Sequence, residues 1–67
     1  MNVVSVRRGR TMKVVTLSDV GEVNDEDCLA AAFTAAGETR SSLFGWSVAY
    51  FDDDELGLTA VVTLHTD

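Results

Sequence analysis

The chain has 67 residues, 46% of them hydrophobic, with one cysteine, one histidine and a net charge of −6. That length makes one domain, 1–67, with a thin core, and the hydrophobic content argues against disorder. Cys28 and His65, each alone of its kind, exclude an intrachain disulfide and a four-ligand Cys/His zinc site, and no apolar run approaches the ~20 residues that span a bilayer.

Residues 2–6 (NVVSV) and 13–18 (KVVTLS) are rich in β-branched side chains and flank the turn-like RRGRT. The pattern predicts a β-hairpin, with Gly9 supplying a positive φ at its turn. Met12 is an alternative start of translation, under which residues 1–11 form a loose basic arm. In MNVVSV the apolar part precedes the positive charges, the reverse of a secretory signal. With a lone free thiol, this gives a cytoplasmic protein as the expectation. Residues 19–23 (DVGEV) read as a loop.

Asn24 opens the clearest element. It is a favoured N-cap, and Asp25, Glu26 and Asp27 then set carboxylates against the positive end of a helix dipole. Leu29, Ala32, Phe33 and Ala36 recur at i, i+3, i+4 and i+7, marking one buried face with Phe33 as its expected anchor. Gly37 closes the helix as a left-handed cap. The many alanines keep this helix slim, so it can lie close on a sheet.

After the loop ETRSS, residues 43–51 alternate, with Phe44, Trp46, Val48 and Tyr50 on one face. Residues 57–65 do the same, setting Leu58, Ala60, Val62 and Leu64 against Thr59, Val61, Thr63 and His65. The two runs predict a second hairpin around the acidic residues 52–55. The fold class is therefore α+β, ordered ββαββ, with one helix packed on one face of an antiparallel sheet of about four strands. Strand order does not follow from these patterns.

Charge is distributed unevenly. Arg7, Arg8, Arg10 and Lys13 fall among thirteen residues that hold no acid, whereas beyond them only Arg40 opposes eleven acids, a net −10. The acids form two groups, Glu22, Asp25, Glu26 and Asp27 near the helix start, and Asp52, Asp53, Asp54 and Glu55 in the second hairpin. Counted as a calcium loop from Asp52, Gly57 falls at the sixth position, but Leu56 and Thr63 fall where the fifth and twelfth ligands belong. No metal is expected. As catalytic acids these residues lack a pocket and a partner. Cys28, behind three acids, forms no evident nucleophilic pair with His65. No enzymatic activity and no cofactor are expected.

Solubility and protection from edge-to-edge aggregation account for one acidic turn. A surface built for solubility alone mixes its signs, however, and this one does not. The imbalance points to a surface that attracts basic partners and repels phosphate. Trp46 and Tyr50 read first as core beneath the slim helix, then as a partner-binding patch. Nucleic-acid stacking comes last, because the neighbouring acids repel a phosphate chain.

In size, acidity and lack of catalytic residues the chain resembles the small inhibitor proteins of phages and mobile elements, such as the anti-CRISPR proteins. The resemblance covers size and charge, rests on no shared motif and assigns no site residues. It implies a non-enzymatic inhibitor. The charge pattern adds the surface: Asp52, Asp53, Asp54, Glu55, Glu22, Asp25, Glu26 and Asp27, with Trp46 and Tyr50, contact a larger protein with a basic surface, such as a nucleic-acid-handling complex. The alternative is a structural or assembly subunit that forms a homodimer through a sheet edge, or through the open sheet face around Val14, Thr16 and Val61. Direct nucleic-acid binding by RRGRTMK is disfavoured by the acidic body, and no membrane partner is expected.

Overall fold

The computed structural model describes residues 1–66. Its elements are β1 (Asn2–Arg8), β2 (Met12–Ser18), α1 (Asp25–Ala36), a short 3-10 turn (Arg40–Ser42), β3 (Gly45–Asp53) and β4 (Gly57–His65). The described strands form one sheet of four in the order β1-β2-β4-β3, and each neighbouring pair is antiparallel. The α+β, ββαββ reading of the sequence is the fold observed. It follows that β2 and β3 run parallel with β4 inserted between them. Parallel strands need a long crossover, and α1 is part of that crossover.

The register explains which side chains the helix covers. Val15 pairs with Val62 and Leu17 with Ala60 across β2 and β4, while Trp46, Val48 and Tyr50 pair with Leu64, Val62 and Ala60 across β3 and β4. Side chains alternate along a strand, so these residues share one face. On it, Cys28, Leu29, Ala32 and Ala36 of α1 pack against Val15, Leu17, Ala60, Val62 and Leu64. Val14, Thr16, Val61 and Thr63 lie on the other face, which carries no helix.

Both helix ends are built as the residue types require. The Asn24 side chain accepts the Asp27 N–H at 3.2 Å. Gly37 adopts φ 71°, and its N–H donates to the Phe33 carbonyl at 2.9 Å. The last turn of α1 contains no basic residue, but Lys13 reaches it from β2. Its ammonium donates to the Ala36 carbonyl at 3.2 Å and to Glu38 at 2.5 Å, placing a cation at the negative end of the dipole.

Three expectations are corrected. Residues 1–11 are not a loose arm, because Asn2–Arg8 is a strand paired with β2. Gly9 does not supply a positive φ; the glycines that do are Gly21, Gly37 and Gly57. The loop at residues 9–11 is instead closed by the Gly9 N–H donating to the Met12 carbonyl at 2.8 Å, and a Cβ on Gly9 would stand 3.3 Å from that oxygen. Phe33 is not the main anchor, since it is only half-buried while Leu29 is 1% exposed. The buried stripe runs along Cys28, Ala32 and Ala36 with Leu29, and this leaves Phe33 at its margin.

Chemical denaturation of three variants tests this packing. Asn24→Ala should cost ~1 kcal/mol by loss of the cap. Leu29→Ala should cost ~3 kcal/mol, and Phe33→Ala clearly less. The reverse ranking of Leu29 and Phe33 would mean that the helix is rotated from the position described.

Candidate functional site

The acidic turn is shorter than its sequence implies. Asp52 and Asp53 are the last residues of β3, leaving residues 54–56 as the turn, and Gly57 enters β4 with φ 73°. Asp53 Oδ1 accepts the N–H groups of Glu55 at 2.8 Å and Leu56 at 2.9 Å. These bonds, Leu56 first and Glu55 second, hold the Asp53 carboxyl below its ordinary 3.8, because both favour the charged form. Asp53 therefore builds the turn, in the manner of an Asx turn. Asp52, Asp54 and Glu55 are exposed.

The two acidic groups are one in space. The Asp19 N–H donates to the Leu56 carbonyl and the Val20 N–H to the Leu58 carbonyl, each at 3.0 Å, so the loop after β2 runs beside the β3–β4 turn. The Tyr50 hydroxyl donates to Asp25 Oδ1 at 2.5 Å and lies 3.9 Å from Cys28 Sγ, which ties the start of α1 to the same end of the sheet. Burial, then the Asp25 and Cys28 contacts, push the Tyr50 phenol above its ordinary 10.0. Glu22, Asp25, Glu26, Asp27, Asp52, Asp53, Asp54 and Glu55 thus share one pole of the molecule. Asp19 joins them, although the sequence reading passed over it. Its φ of 52° is a conformation that Asp tolerates better than most residues. Among the described residues Arg40, 3.3 Å from Glu26, is the sole basic side chain paired with this group.

The basic residues occupy the other pole. Arg7, Arg8, Arg10 and Lys13 surround the β1–β2 loop, and Glu38 is paired there with Lys13. The Lys13 hydrogen bond first, and the Ser42 hydroxyl second, hold Glu38 below its ordinary 4.5. The longest dimension is 33 Å, close to the ~30 Å of a nine-residue strand. The charge separation runs along the strands.

Tyr50 packs half-buried against the core as expected, but Trp46 does not join it. Trp46 lies on the helix side yet is 40% exposed, and Phe44 is 80% exposed. The reason is strand order: α1 buries residues of β2 and β4, and β3 is left at the edge. The largest fully buried side chains are Leu17, Leu29 and Leu64. Trp46 pairs with Leu64 near the basic pole, whereas Tyr50 pairs with Ala60 and contacts Asp25. The two aromatics therefore do not make one site with the acids.

Cys28 is a buried free thiol. His65 pairs with Gly45 and Met12 at the far end of the sheet, so the structure does not bring Cys28 and His65 together. Among the described residues no three His, Cys, Asp or Glu side chains are grouped to hold a metal ion, and no helix is long and apolar enough to cross a membrane. No family model, curated protein or solved structure matches the chain.

Two measurements test these contacts. Tyr50→Phe should cost ~1 kcal/mol, the ordinary worth of one hydrogen bond, and equal stability would show that the Asp25 contact contributes nothing. Asp53 and Glu38, with lowered folded pKa values, add stability above the ordinary 3.8 and 4.5 that disappears as pH falls through the lowered values. Asp53→Asn with Glu38→Gln should therefore lose less melting temperature than the parent over that acid range. Parallel losses would refute the assignment.

Proposed function

We propose that the protein is a small non-enzymatic inhibitor whose acidic pole docks on a basic surface of a larger protein, with a Lys/Arg-rich nucleic-acid channel as the natural target. The observation that carries this reading is the gathering of nine of the eleven acids at one pole, with Arg40 alone among them. About 20 Å of duplex DNA carries about 12 phosphate charges. The pole holds its nine carboxylates on an end whose lateral dimensions are 20 and 16 Å, a comparable density for a channel that binds phosphates.

Such a cluster is unfavourable for the isolated domain. Two carboxylates ~7 Å apart repel by ~0.6 kcal/mol even in bulk water. Solubility is served equally well by mixed signs, whereas a basic partner turns the repulsion into attraction and steers association. The likeness in size and acidity to phage and mobile-element inhibitors supports the same reading. A free, buried Cys28 suits a cytoplasmic target.

The test is capture of the target from the host with tagged protein, at low and high salt and with duplex DNA as competitor. Asp52→Asn, Asp54→Asn and Glu55→Gln neutralise the hairpin while sparing Asp53, which builds it. The triple variant should fold like the parent and bind at least tenfold more weakly, about 1.4 kcal/mol, mainly through slower association. Added salt should weaken the parent more than the variant. Equal binding by both proteins at physiological salt would sink the proposal.

A further inference from the structure

We infer that β3 pairs antiparallel with β3 of a second copy about a two-fold axis at Val48, joining two four-stranded sheets into one. The two sheet edges differ in how they are protected. Along β1 the register breaks between Val3 and Ser5, leaving Val4 as an extra residue, and Arg7 and Arg8 charge its end. Bulges and edge charges of this kind block strand addition. β3 has neither over most of its length. Its register with β4 is unbroken across all nine residues, and residues 45–51 carry no charge. Among the described residues its backbone groups on the outer side have no strand partner, while Trp46 and Phe51 are 40% and 46% exposed.

The side chains select the register. Pairing about Val48 sets Trp46 opposite the second copy's Tyr50, and Phe51 opposite its Gly45. Cross-strand aromatic pairs stabilise a sheet, and an aromatic shields an edge glycine. Centring on Ala49 instead would set Trp46 opposite Asp52, drawing carboxylates into the ladder. Centring on Ser47 would leave only residues 45–49 of the strand paired. The Val48 register pairs residues 45–51 and keeps every charge outside that span.

Charge selects both the orientation and the occupant. In an antiparallel dimer each acidic pole lies beside the second copy's basic pole. The unlike poles are separated by about one molecular width of 20 Å, while like poles lie on the longer diagonal. With a screening length of ~8 Å, the diagonal repulsion is damped far more than the lateral attraction. Parallel alignment would set acid beside acid. The edge is thus complementary to itself when reversed, and the dimer would present an acidic pole at each end.

Sedimentation equilibrium of the full chain tests the inference. The parent should show a concentration-dependent monomer–dimer equilibrium, with amides of β3 better protected from hydrogen exchange at high concentration. Ser47 and Ala49 are exposed and lie opposite each other across the proposed axis. Ser47→Lys with Ala49→Lys, and separately Ser47→Glu with Ala49→Glu, should each weaken self-association by about tenfold or more through like-charge pairs, and an equimolar mixture should restore it. Thr63→Lys, on the open sheet face, should leave the dimer unchanged. A parent that stays monomeric with unprotected β3 amides overturns the inference and leaves the edge to an extended segment of another protein. A dimer weakened by Thr63→Lys moves the interface to the open face, which Ser47 and Ala49 share, and overturns it equally. Lack of restoration on mixing overturns the register.

Discussion

The insertion of β4 between β2 and β3 is the constraint on which the rest of this structure depends. It makes β2 and β3 parallel, and so requires the chain to return along the sheet through α1. It also brings the exit of β2, the start of α1 and the β3–β4 turn to a single end. The backbone bonds from Asp19 to Leu56 and from Val20 to Leu58 are a direct consequence. A simple meander would have put the two acidic groups at opposite ends of the sheet.

Strand order also decides where the core lies. β2 and β4 occupy the centre and supply the fully buried Val15, Leu17, Ala60, Val62 and Leu64. A slim helix suffices to cover two strands, and its alanines let it sit close. It does not cover four. In so small a domain the margin of stability is narrow, so modest contacts count: the Asn24 cap, the Tyr50–Asp25 bond, and Lys13 at the end of the helix. The last two also fasten opposite ends of α1 to the sheet.

The same geometry that stabilises the fold places its charges. Asp25, Glu26 and Asp27 suit a helix N-terminus, and Asp53 is needed for its turn. These local uses explain several acids individually but not the lack of compensating bases around them. The sparse neutralisation by Arg40 makes the pole a source of long-range field. The aromatic edge of β3 is a distinct surface, nearer the basic pole at Trp46 and without charge along residues 45–51. A domain with one charged end and one open edge has two ways to meet partners, by field and by backbone pairing.

The elements themselves were legible in the residues. Asn24 and Gly37 bound the helix, and alternation assigns the faces of β3 and β4, because capping and side-chain period act within a few residues. The gross imbalance of charge was equally plain. Strand order was not, because β2 pairs with β4 through contacts between residues more than forty positions apart, and alternation is blind to which strand lies alongside. The errors follow from that. Trp46 and Tyr50 were expected under the helix, but β3 is an edge strand and only Tyr50 packs against the core. Phe33 was expected as the anchor, but the buried stripe of α1 runs through Cys28, Leu29, Ala32 and Ala36 and leaves Phe33 half-buried at its margin. Asp53 looked like one acid among four until its backbone partners were in place, and Asp19 belongs to the acidic pole only because its loop lies against Leu56. Local chemistry chose helix, strand and turn; long-range pairing chose which of them are neighbours, and so which surfaces exist.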